Sequence, residues 1–169
     1  MVDKIHYTWK DIEHMIQSIN NLMFADQWRP DYVVGLTRGG LVPATMLSNM
    51  TGITMHTLDV RFRDTDKSYT GPEHNGTMKK DALVGKNILI FDDINDTGRT
   101  FNWIKEDWNT NDAWGKNVRT AALIDNGASD FGEVDYTALE INKAEKDVWV
   151  VFPWDCLLYT SPSPRDSSQ

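Results

Sequence analysis

Residues 88–100, with the sequence ILIFDDINDTGRT, decide the fold because they join an apolar strand to a polar turn. Residues 88–91 are apolar and rich in β-branched side chains, which is typical of a central strand covered on both faces. Asp92 and Asp93 follow at the carboxyl end of this strand, where open α/β sheets bind their ligands. Because neighbouring strand residues point to opposite faces, the two carboxylates cannot have the same role. The segment predicts an α/β domain with a ligand site beyond this strand.

The turn after these acids, residues 96–100, has the composition of a phosphate site. It offers consecutive backbone N–H groups, hydroxyl side chains, a glycine and the start of a helix, and such a helix N-terminus binds phosphate. The preceding carboxylates could accept hydrogen bonds from vicinal sugar hydroxyls or lie near a hard divalent cation. The alternative is an acidic turn in which Asp96 or Thr97 only caps the helix. The combined string favours a sugar-phosphate site.

This string resembles the phosphoribosyl-pyrophosphate (PRPP) signature of the type I phosphoribosyltransferases. Residues 32–43, YVVGLTRGGLVP, and 149–155, WVVFPWD, are similar to the branch of bacterial and phage xanthine-guanine (hypoxanthine) phosphoribosyltransferases. The resemblance implies the type I fold, an open and mainly parallel sheet flanked by helices on both faces. It also implies one phosphoribosyltransferase domain over residues 1–155, with a small hood contributed by about residues 1–30 and 142–155.

Composition agrees with a single enzyme domain, since 169 residues are enough for one hydrophobic core. The net charge of −8 argues against broad affinity for nucleic acid or for an anionic membrane. No stretch has the length of a membrane span, and the N-terminus lacks the pattern of a signal peptide. We therefore expect a cytoplasmic protein whose phosphate binding is local.

The hydrophobic spacing of residues 9–24 predicts a helix, for which Thr8 and Asp11 form a capping box. The long polar segment 63–80 contains Gly-Pro and Asn-Gly pairs and predicts a loop, of the kind that often serves as a lid. The other elements alternate, which predicts a parallel sheet between two helical layers. The other predicted strands are 32–36, 54–62, 87–91, 118–124 and 134–141, and the other predicted helices are 41–49 and 100–108.

The loop Thr37-Arg38-Gly39-Gly40 follows a predicted strand, where glycines let the backbone approach an anion and Arg38 offers a planar fork to phosphate oxygens. Taken alone, this sequence fits an ordinary turn equally well. The resemblance implies that the loop binds pyrophosphate, through a cis peptide between Thr37 and Arg38. It also implies that segment 63–80 is a flap over the reacting sugar, although Lys67, Lys79 and Lys80 are equal candidates for the pyrophosphate contact.

The resemblance assigns further roles around the signature. Asp92 and Asp93 would hold the ribose hydroxyls, with Asp93 the better candidate near Mg²⁺ and Asp155 a second candidate metal ligand. Asp96 resembles the general base at purine N7 and would be catalytic. The 5-phosphate of PRPP would bind the remaining signature residues, Thr97, Gly98, Arg99 and Thr100.

The base site is less clearly defined. Trp149 offers a face for stacking a base and the Val150 backbone could recognise base edges; the alternative is that Trp149 is a packing residue. Family members that use 6-oxopurines usually carry a lysine after the strand 118–124, whereas this chain has Asp125 and Asn126. Asp125 would repel an oxygen acceptor or would face water in a turn. Asn126 could donate to the base through its amide.

The resemblance implies transfer of ribose 5-phosphate from PRPP to guanine, xanthine or hypoxanthine, with Mg²⁺ as cofactor and a homodimer or homotetramer as the assembly. One alternative is a non-catalytic regulator that keeps the fold and senses PRPP or a nucleotide. A second is a phosphoribosyltransferase for another base. The intact Asp96 and the acidic charge favour an enzyme, since a DNA-binding regulator should carry a basic face.

Residues 156–169, CLLYTSPSPRDSSQ, differ in composition from the rest of the chain. They resemble the translation of a transposon-end sequencing adapter, so we expect an artefactual, disordered tail and a natural residue 155 that is either Asp or Glu. The alternative is a genuine disordered tail rich in Ser and Pro. The single cysteine, Cys156, lies in this segment, so the sequence predicts no disulfide or thiol chemistry in the remainder.

Overall fold

The computed structural model of the chain describes residues 2–62, 67–70, 72–108 and 112–155, so the tail predicted at 156–169 lies outside it. Six strands form the main sheet in the order β4-β3-β2-β5-β6-β7, and β1 pairs with β8 in a separate two-stranded sheet. All these pairs are parallel except β3 with β4. The strands are β1 (Asp3–His6), β2 (Tyr32–Leu36), β3 (Thr54–Phe62), β4 (Lys67–Thr70), β5 (Ile88–Asn95), β6 (Val118–Asn126), β7 (Tyr136–Ile141) and β8 (Val148–Val151), and the helices are α1 (Trp9–Ala25), α2 (Leu41–Thr51), α3 (Pro72–Leu83) and α4 (Arg99–Trp108).

Helices cover both faces of the main sheet, which confirms the predicted α/β class. The first core cluster joins α1 and α2 to strand residues such as Val33 and Leu89. The second joins α3 and α4 to the alternate strand residues, including Val34 and Ile90. All four of these strand side chains are fully buried. Alternation along β2 and β5 therefore feeds two cores, which is why these strands are apolar throughout.

The predicted start of α1 is confirmed in detail. The Thr8 hydroxyl oxygen accepts a hydrogen bond from the Asp11 N–H at 3.1 Å, and the Asp11 carboxylate accepts one from the Thr8 N–H at 2.8 Å. The bounds of β2 and β3 are those predicted. Helix α2 runs two residues past its predicted end and stops at Gly52, which has the left-handed φ of 76° that favours glycine at such an end.

The prediction of a loop over residues 63–80 is wrong for most of that segment, which holds β4 and the greater part of α3. Pro72 is the first residue of α3, a position where its missing N–H costs nothing. Met78 and Ala82 are spaced one helical turn apart, and both are buried against the second core. Residues 63–66 and 71, and the side chain of Lys67, lie outside the described part of the structure. The flap role of this segment remains a prediction.

Strand β5 continues four residues beyond its predicted end and includes the acid pair. Its pairing with β6 extends through Asp92 with Ala122 and Asn95 with Asp125. Polar residues that resemble a turn in the sequence are therefore held by a ladder of backbone hydrogen bonds. Strand β1 was not predicted; it pairs with β8 in a register that places Lys4 beside Trp149. Among the described residues, no helix combines the length and hydropathy needed to cross a bilayer.

Candidate active site

A cleft opens at the carboxyl ends of β2 and β5. It lies between the β2–α2 loop and the β5–α4 turn, which were predicted from separate motifs. Nine of the predicted site residues line it. The lining residues are Thr37, Arg38, Gly39, Val60, Asp92, Ile94, Asn95, Asp96, Thr97, Gly98, Arg99, Thr100 and Phe101.

The β2–α2 loop is pressed tightly against β5. The predicted cis peptide between Thr37 and Arg38 is present, and the Thr37 hydroxyl donates to the Asp59 carboxylate at 2.6 Å. A Cβ at Gly39 would collide with the carboxylate of Asp93, and one at Gly40 would collide with the carbonyl oxygen of Phe91. Both glycines are thus needed for the loop to approach the strand, which leaves Arg38 exposed at the cleft.

The acid pair of β5 points in two directions, as strand alternation predicts. Asp92 is half-buried and lines the cleft, whereas Asp93 is only 2% exposed and lies behind Gly39. The Asp92 carboxylate accepts from the Asp93 N–H at 2.8 Å, and the Asp93 carboxylate accepts from the Ile94 N–H at 2.8 Å. Burial, together with the nearby Asp93 charge, raises the pKa of Asp92 well above its usual value.

We expect Asp92→Asn to stabilise the ligand-free protein at pH 8 and to change its stability little below about pH 4. A carboxyl group whose pKa is raised by folding binds its proton more tightly in the folded state. Stability is therefore lost as the pH rises from the usual pKa of 3.8 towards the raised value. The amide does not ionise, so the variant should gain about 1 kcal/mol or more at pH 8.

Urea denaturation of the ligand-free protein at pH 4 and pH 8 measures this difference. Asp112→Asn is the control because Asp112 is exposed. The free energy of unfolding of this variant should equal that of the wild type at both pH values. An equal gain for Asp92→Asn at both pH values would mean that packing, and not ionisation, is responsible.

The β5–α4 turn is fixed by the loop that joins β6 to β7. Gly98 has a φ of 87°, and a Cβ there would collide with the backbone nitrogen of Phe131. The Asp130 N–H donates to the Thr97 carbonyl at 2.9 Å, and the Thr97 hydroxyl oxygen accepts from the Arg99 N–H at 3.3 Å. The turn therefore has a fixed conformation at the N-terminus of α4, with Thr97 and Arg99 exposed to the cleft.

Asp96 is held from two sides. Its carboxylate forms an ion pair with the Lys143 ammonium at 2.8 Å, and its carbonyl accepts from the Asn126 amide at 2.8 Å. The Asn126 side-chain oxygen accepts in turn from the N–H groups of Ala128 and Lys143, at 3.1 and 3.0 Å. Asn126 is 6% exposed, so this buried amide joins three loops. Its predicted donation to a base stays a prediction, and here its amide donates to Asp96.

Lys143 is a site residue that sequence reasoning missed. It follows β7, far from the signature in the chain, and no motif marks it. The only available signal is that β7 lies two strands from β5 in the sheet order, so that the loops after both strands end on the same edge.

Asp125 accepts a hydrogen bond from the side-chain amide of Asn95 at 2.8 Å. Asn95 is 3% exposed and also lies 2.8 Å from the Phe131 carbonyl. Burial raises the pKa of Asp125, against the opposing effect of the Asn95 hydrogen bond. The Asp125 carboxylate thus has a hydrogen-bond partner within the protein, the last residue of β5.

The predicted base-binding residues do not line this cleft. Trp149 is half-buried in β8, and the Val150 side chain belongs to the first core cluster. The Asp155 carboxylate accepts from the Phe152 N–H at 2.9 Å. The roles of Trp149 and Val150 toward a base, and of Asp155 toward a metal, remain predictions.

The structure thus has a mainly parallel α/β sheet that carries an acid pair and two tight turns at one edge. The family model for the phosphoribosyl transferase domain matches residues 1–160, and the chain belongs to this family. The predicted family membership is confirmed.

Individual relatives agree with this assignment. The chain is 30% identical to a xanthine-guanine phosphoribosyltransferase of Roseobacter denitrificans over 149 residues, which span 80% of this chain and 73% of that protein. The crystal structure of a purine phosphoribosyltransferase from Pyrococcus horikoshii superposes with a TM-score of 0.70 at 23% identity, covering 95% of this chain and 100% of that one. A xanthine-guanine-hypoxanthine phosphoribosyltransferase from Helicobacter pylori gives a TM-score of 0.66 at 14% identity, covering 89% and 92%. These two structures have the same fold as this chain.

Proposed function

We propose that this protein is a purine phosphoribosyltransferase, which transfers ribose 5-phosphate from PRPP to a ring nitrogen of guanine, xanthine or hypoxanthine and releases pyrophosphate. The observation that carries the proposal is that Arg38, Asp92, Asp96 and the turn at the start of α4 all line the same cleft. Its Roseobacter relative is named a xanthine-guanine phosphoribosyltransferase, which supports a purine as the acceptor.

The proposed mechanism depends mainly on positioning. Cleavage at the anomeric carbon leaves oxocarbenium-like charge on the ribose, so the protein has to align the two substrates and stabilise the departing pyrophosphate. Arg38 and the backbone at Gly39 and Gly40 would bind that pyrophosphate. The 5-phosphate would bind the N–H and hydroxyl groups of residues 97–100, and Asp92 would accept from the ribose hydroxyls.

The acid pair fits a magnesium ion by its chemistry, since Mg²⁺ prefers oxygen ligands and usually combines one or two carboxylates with substrate phosphates and water. No cluster of three or more metal-binding side chains occurs within the described ranges. An ion held here would need oxygens of PRPP besides a carboxylate of the acid pair. Asp93 is the predicted ligand and Asp155 a second candidate, although it is Asp92 that lines the cleft while Asp93 lies behind Gly39. When bound, it would neutralise charge on the pyrophosphate.

Asp96 would act as the general base that accepts the proton from N7 of the purine. Its side chain is only 15% exposed, and its backbone is fixed by Asn126, so its carboxylate has a defined position at the cleft. Trp149 would stack on the base and the Val150 backbone would contact its edges. Asn126 would contact the base only if its amide exchanged its hydrogen bond to the Asp96 carbonyl for one to the base.

A panel of bases tests the proposal. The wild type is incubated with PRPP and Mg²⁺ and with hypoxanthine, guanine, xanthine, adenine or a pyrimidine, and pyrophosphate release is measured. We expect release with at least one of the three oxopurines. Release only with adenine or a pyrimidine would favour a phosphoribosyltransferase for another base. No release with any base, combined with PRPP binding by calorimetry, would favour the non-catalytic sensor.

The proposed partners are small molecules, in the cytoplasm, and the net charge of −8 disfavours nucleic acid. A homodimer or homotetramer is expected from the family resemblance. Size-exclusion chromatography with light scattering gives the mass directly, and a single species at 19.3 kDa would contradict this expectation.

A further inference from the structure

We propose that Asn95 is a positioning residue, which holds the β5–α4 turn in the conformation that binds the 5-phosphate of PRPP. The inference rests on the proposed function, because it concerns the turn to which that function assigns the 5-phosphate. Asn95 is the last residue of β5 and directly precedes Asp96. It lies within the signature string, at a position to which the family resemblance assigns no role.

The Asn95 side chain is a buried amide whose nitrogen is surrounded by oxygens. The residue is only 3% exposed, and a buried amide costs free energy unless its N–H groups are hydrogen-bonded. Its nitrogen lies 2.8 Å from the Asp125 carboxylate, the Ser129 hydroxyl and the Phe131 carbonyl. Because the Phe131 carbonyl can only accept, the nitrogen of the amide must face it. An apolar side chain could fill this position without that requirement, so the amide is explained by the segment that it binds.

The segment that Asn95 binds, residues 129–131, is the one that supports the β5–α4 turn. The Asp130 N–H donates to the Thr97 carbonyl at 2.9 Å. The Phe131 nitrogen lies so close to Gly98 that a Cβ on Gly98 would collide with it. The Asn95 amide thus holds the carbonyl of the residue whose nitrogen packs against the turn. A shift of this segment would move the N–H groups of residues 97–100, which are proposed to bind the 5-phosphate.

The same segment is also held from helix α4. The Asn102 amide donates to the Asp130 carbonyl at 3.1 Å, and the Phe101 and Phe131 rings pack with their centroids 5.2 Å apart. These two contacts come from the helix that begins at the turn, so they move with it. Asn95 instead ties the segment to β5, the strand that carries the acid pair. The amide therefore fixes the orientation of the turn relative to that strand.

Two other roles for Asn95 predict different results. If the amide only stabilised the fold, its loss would lower the free energy of unfolding and leave the ligand affinities of the folded protein unchanged. If Asn95, which lines the cleft, contacted PRPP directly, its effect on PRPP affinity would be independent of Gly98. A positioning role that acts through Phe131 and Gly98 predicts that the effects of the two residues are not additive in free energy.

The first test measures the affinities of Asn95→Leu for PRPP and for pyrophosphate, each with Mg²⁺, by calorimetry. Leucine has nearly the shape of asparagine but offers no N–H group. We expect PRPP binding to weaken by roughly tenfold or more, the effect of leaving a buried carbonyl without its donor. Pyrophosphate binding should be unchanged, because pyrophosphate has no 5-phosphate and is proposed to bind the β2–α2 loop.

Asp125→Ala is the matched control for this variant. It removes one of the oxygens around the same amide and leaves the contact between Asn95 and the Phe131 carbonyl in place. This variant should lose stability, because a buried hydrogen bond is lost, but it should keep the PRPP affinity of the wild type.

The second test is a double-mutant cycle that combines Asn95→Leu with Gly98→Ala. Both substitutions are expected to disturb the same contact between residues 129–131 and the turn. The fold-loss of PRPP affinity in the double variant should therefore be smaller than the product of the losses in the two single variants.

Unchanged PRPP affinity in Asn95→Leu, or an equal loss of affinity for PRPP and for pyrophosphate, would overturn the positioning role and leave the proposed function intact. The same conclusion would follow if Asp125→Ala lost as much PRPP affinity, or if the losses in the double variant multiplied. A wild type that does not bind PRPP would instead overturn the proposed function, and this inference with it. If Asn95→Leu does not fold, Asn95→Ser decides, because its shorter side chain stays polar but does not reach the Phe131 carbonyl, and the same selective loss of PRPP affinity is expected.

Discussion

Asp96→Asn is expected to lose about 100- to 10,000-fold in kcat, the usual contribution of a general base. The amide has nearly the size of the carboxylate, and the Asp96 backbone would still be held by the Asn126 side chain. What it cannot do is accept a proton from N7 of the base. The variant should therefore bind PRPP with an affinity close to that of the wild type while its chemical step is slow.

Steady-state kinetics with saturating PRPP and hypoxanthine give kcat, and calorimetry gives the PRPP affinity separately. Asp147→Asn is a suitable control, since Asp147 is exposed and its activity should equal that of the wild type. Unchanged turnover in Asp96→Asn would remove this residue from the mechanism. A loss of PRPP affinity as large as the loss of kcat would show that Asp96 holds the β5–α4 turn in its conformation and does not act on the base.

The predictions that held depend on signals within short segments. The capping box at Thr8 is a property of a few neighbouring residues, and the cis peptide at Thr37 was implied by the family resemblance of one short loop. The PRPP signature is equally local, because a strand, an acid pair and a helix N-terminus follow one another without a gap. The sequence therefore predicted the layered fold and the cleft residues of both turns.

Helix α3 shows where local signals mislead. Its sequence contains Pro72 and Gly76, which usually interrupt helices, so the segment resembles a loop. In the structure its Met78 is buried in the second core, and the Trp108 ring nitrogen donates to Asn75 at 2.7 Å. Tertiary packing thus outweighs a weak helix propensity, and the sequence alone does not contain those contacts.

The environment of Asp96 could not be predicted for a different reason. Its partner Asn126 is the last residue of β6, and its partner Lys143 lies in the loop after β7. They meet only because these strands follow β5 in the sheet. The direction of the Asn126 amide is also undetermined by sequence, since such a group can face a ligand or another loop. The contacts around the proposed general base are therefore tertiary features, whereas the residues proposed to bind the phosphoribosyl donor form local motifs.

Gly98→Ala is expected to destabilise the protein by about 3 kcal/mol and to weaken PRPP binding at least roughly tenfold. Two separate costs contribute. The φ of 87° at Gly98 is unfavourable for any residue with a Cβ, at about 1 kcal/mol, and a Cβ would also collide with the backbone nitrogen of Phe131. Because Phe131 is buried, the collision is relieved only if the β5–α4 turn moves away from the loop that joins β6 to β7.

Gly115→Ala separates these two costs. Gly115 has nearly the same φ, 80°, but a Cβ there would meet nothing within 4 Å. It should therefore show the conformational cost alone, about 1 kcal/mol, with unchanged PRPP affinity. Urea denaturation of both variants, with PRPP calorimetry, measures the difference. Equal destabilisation of the two variants would mean that the β5–α4 turn accommodates the methyl group without strain. The turn would then be more deformable than its contacts with Asp130 and Phe131 indicate. We expect Gly98→Ala to lose more stability than Gly115→Ala and also to lose PRPP affinity. The close approach of Gly98 to the Phe131 backbone leaves no room for a side chain, and it also fixes the N–H groups at the start of α4.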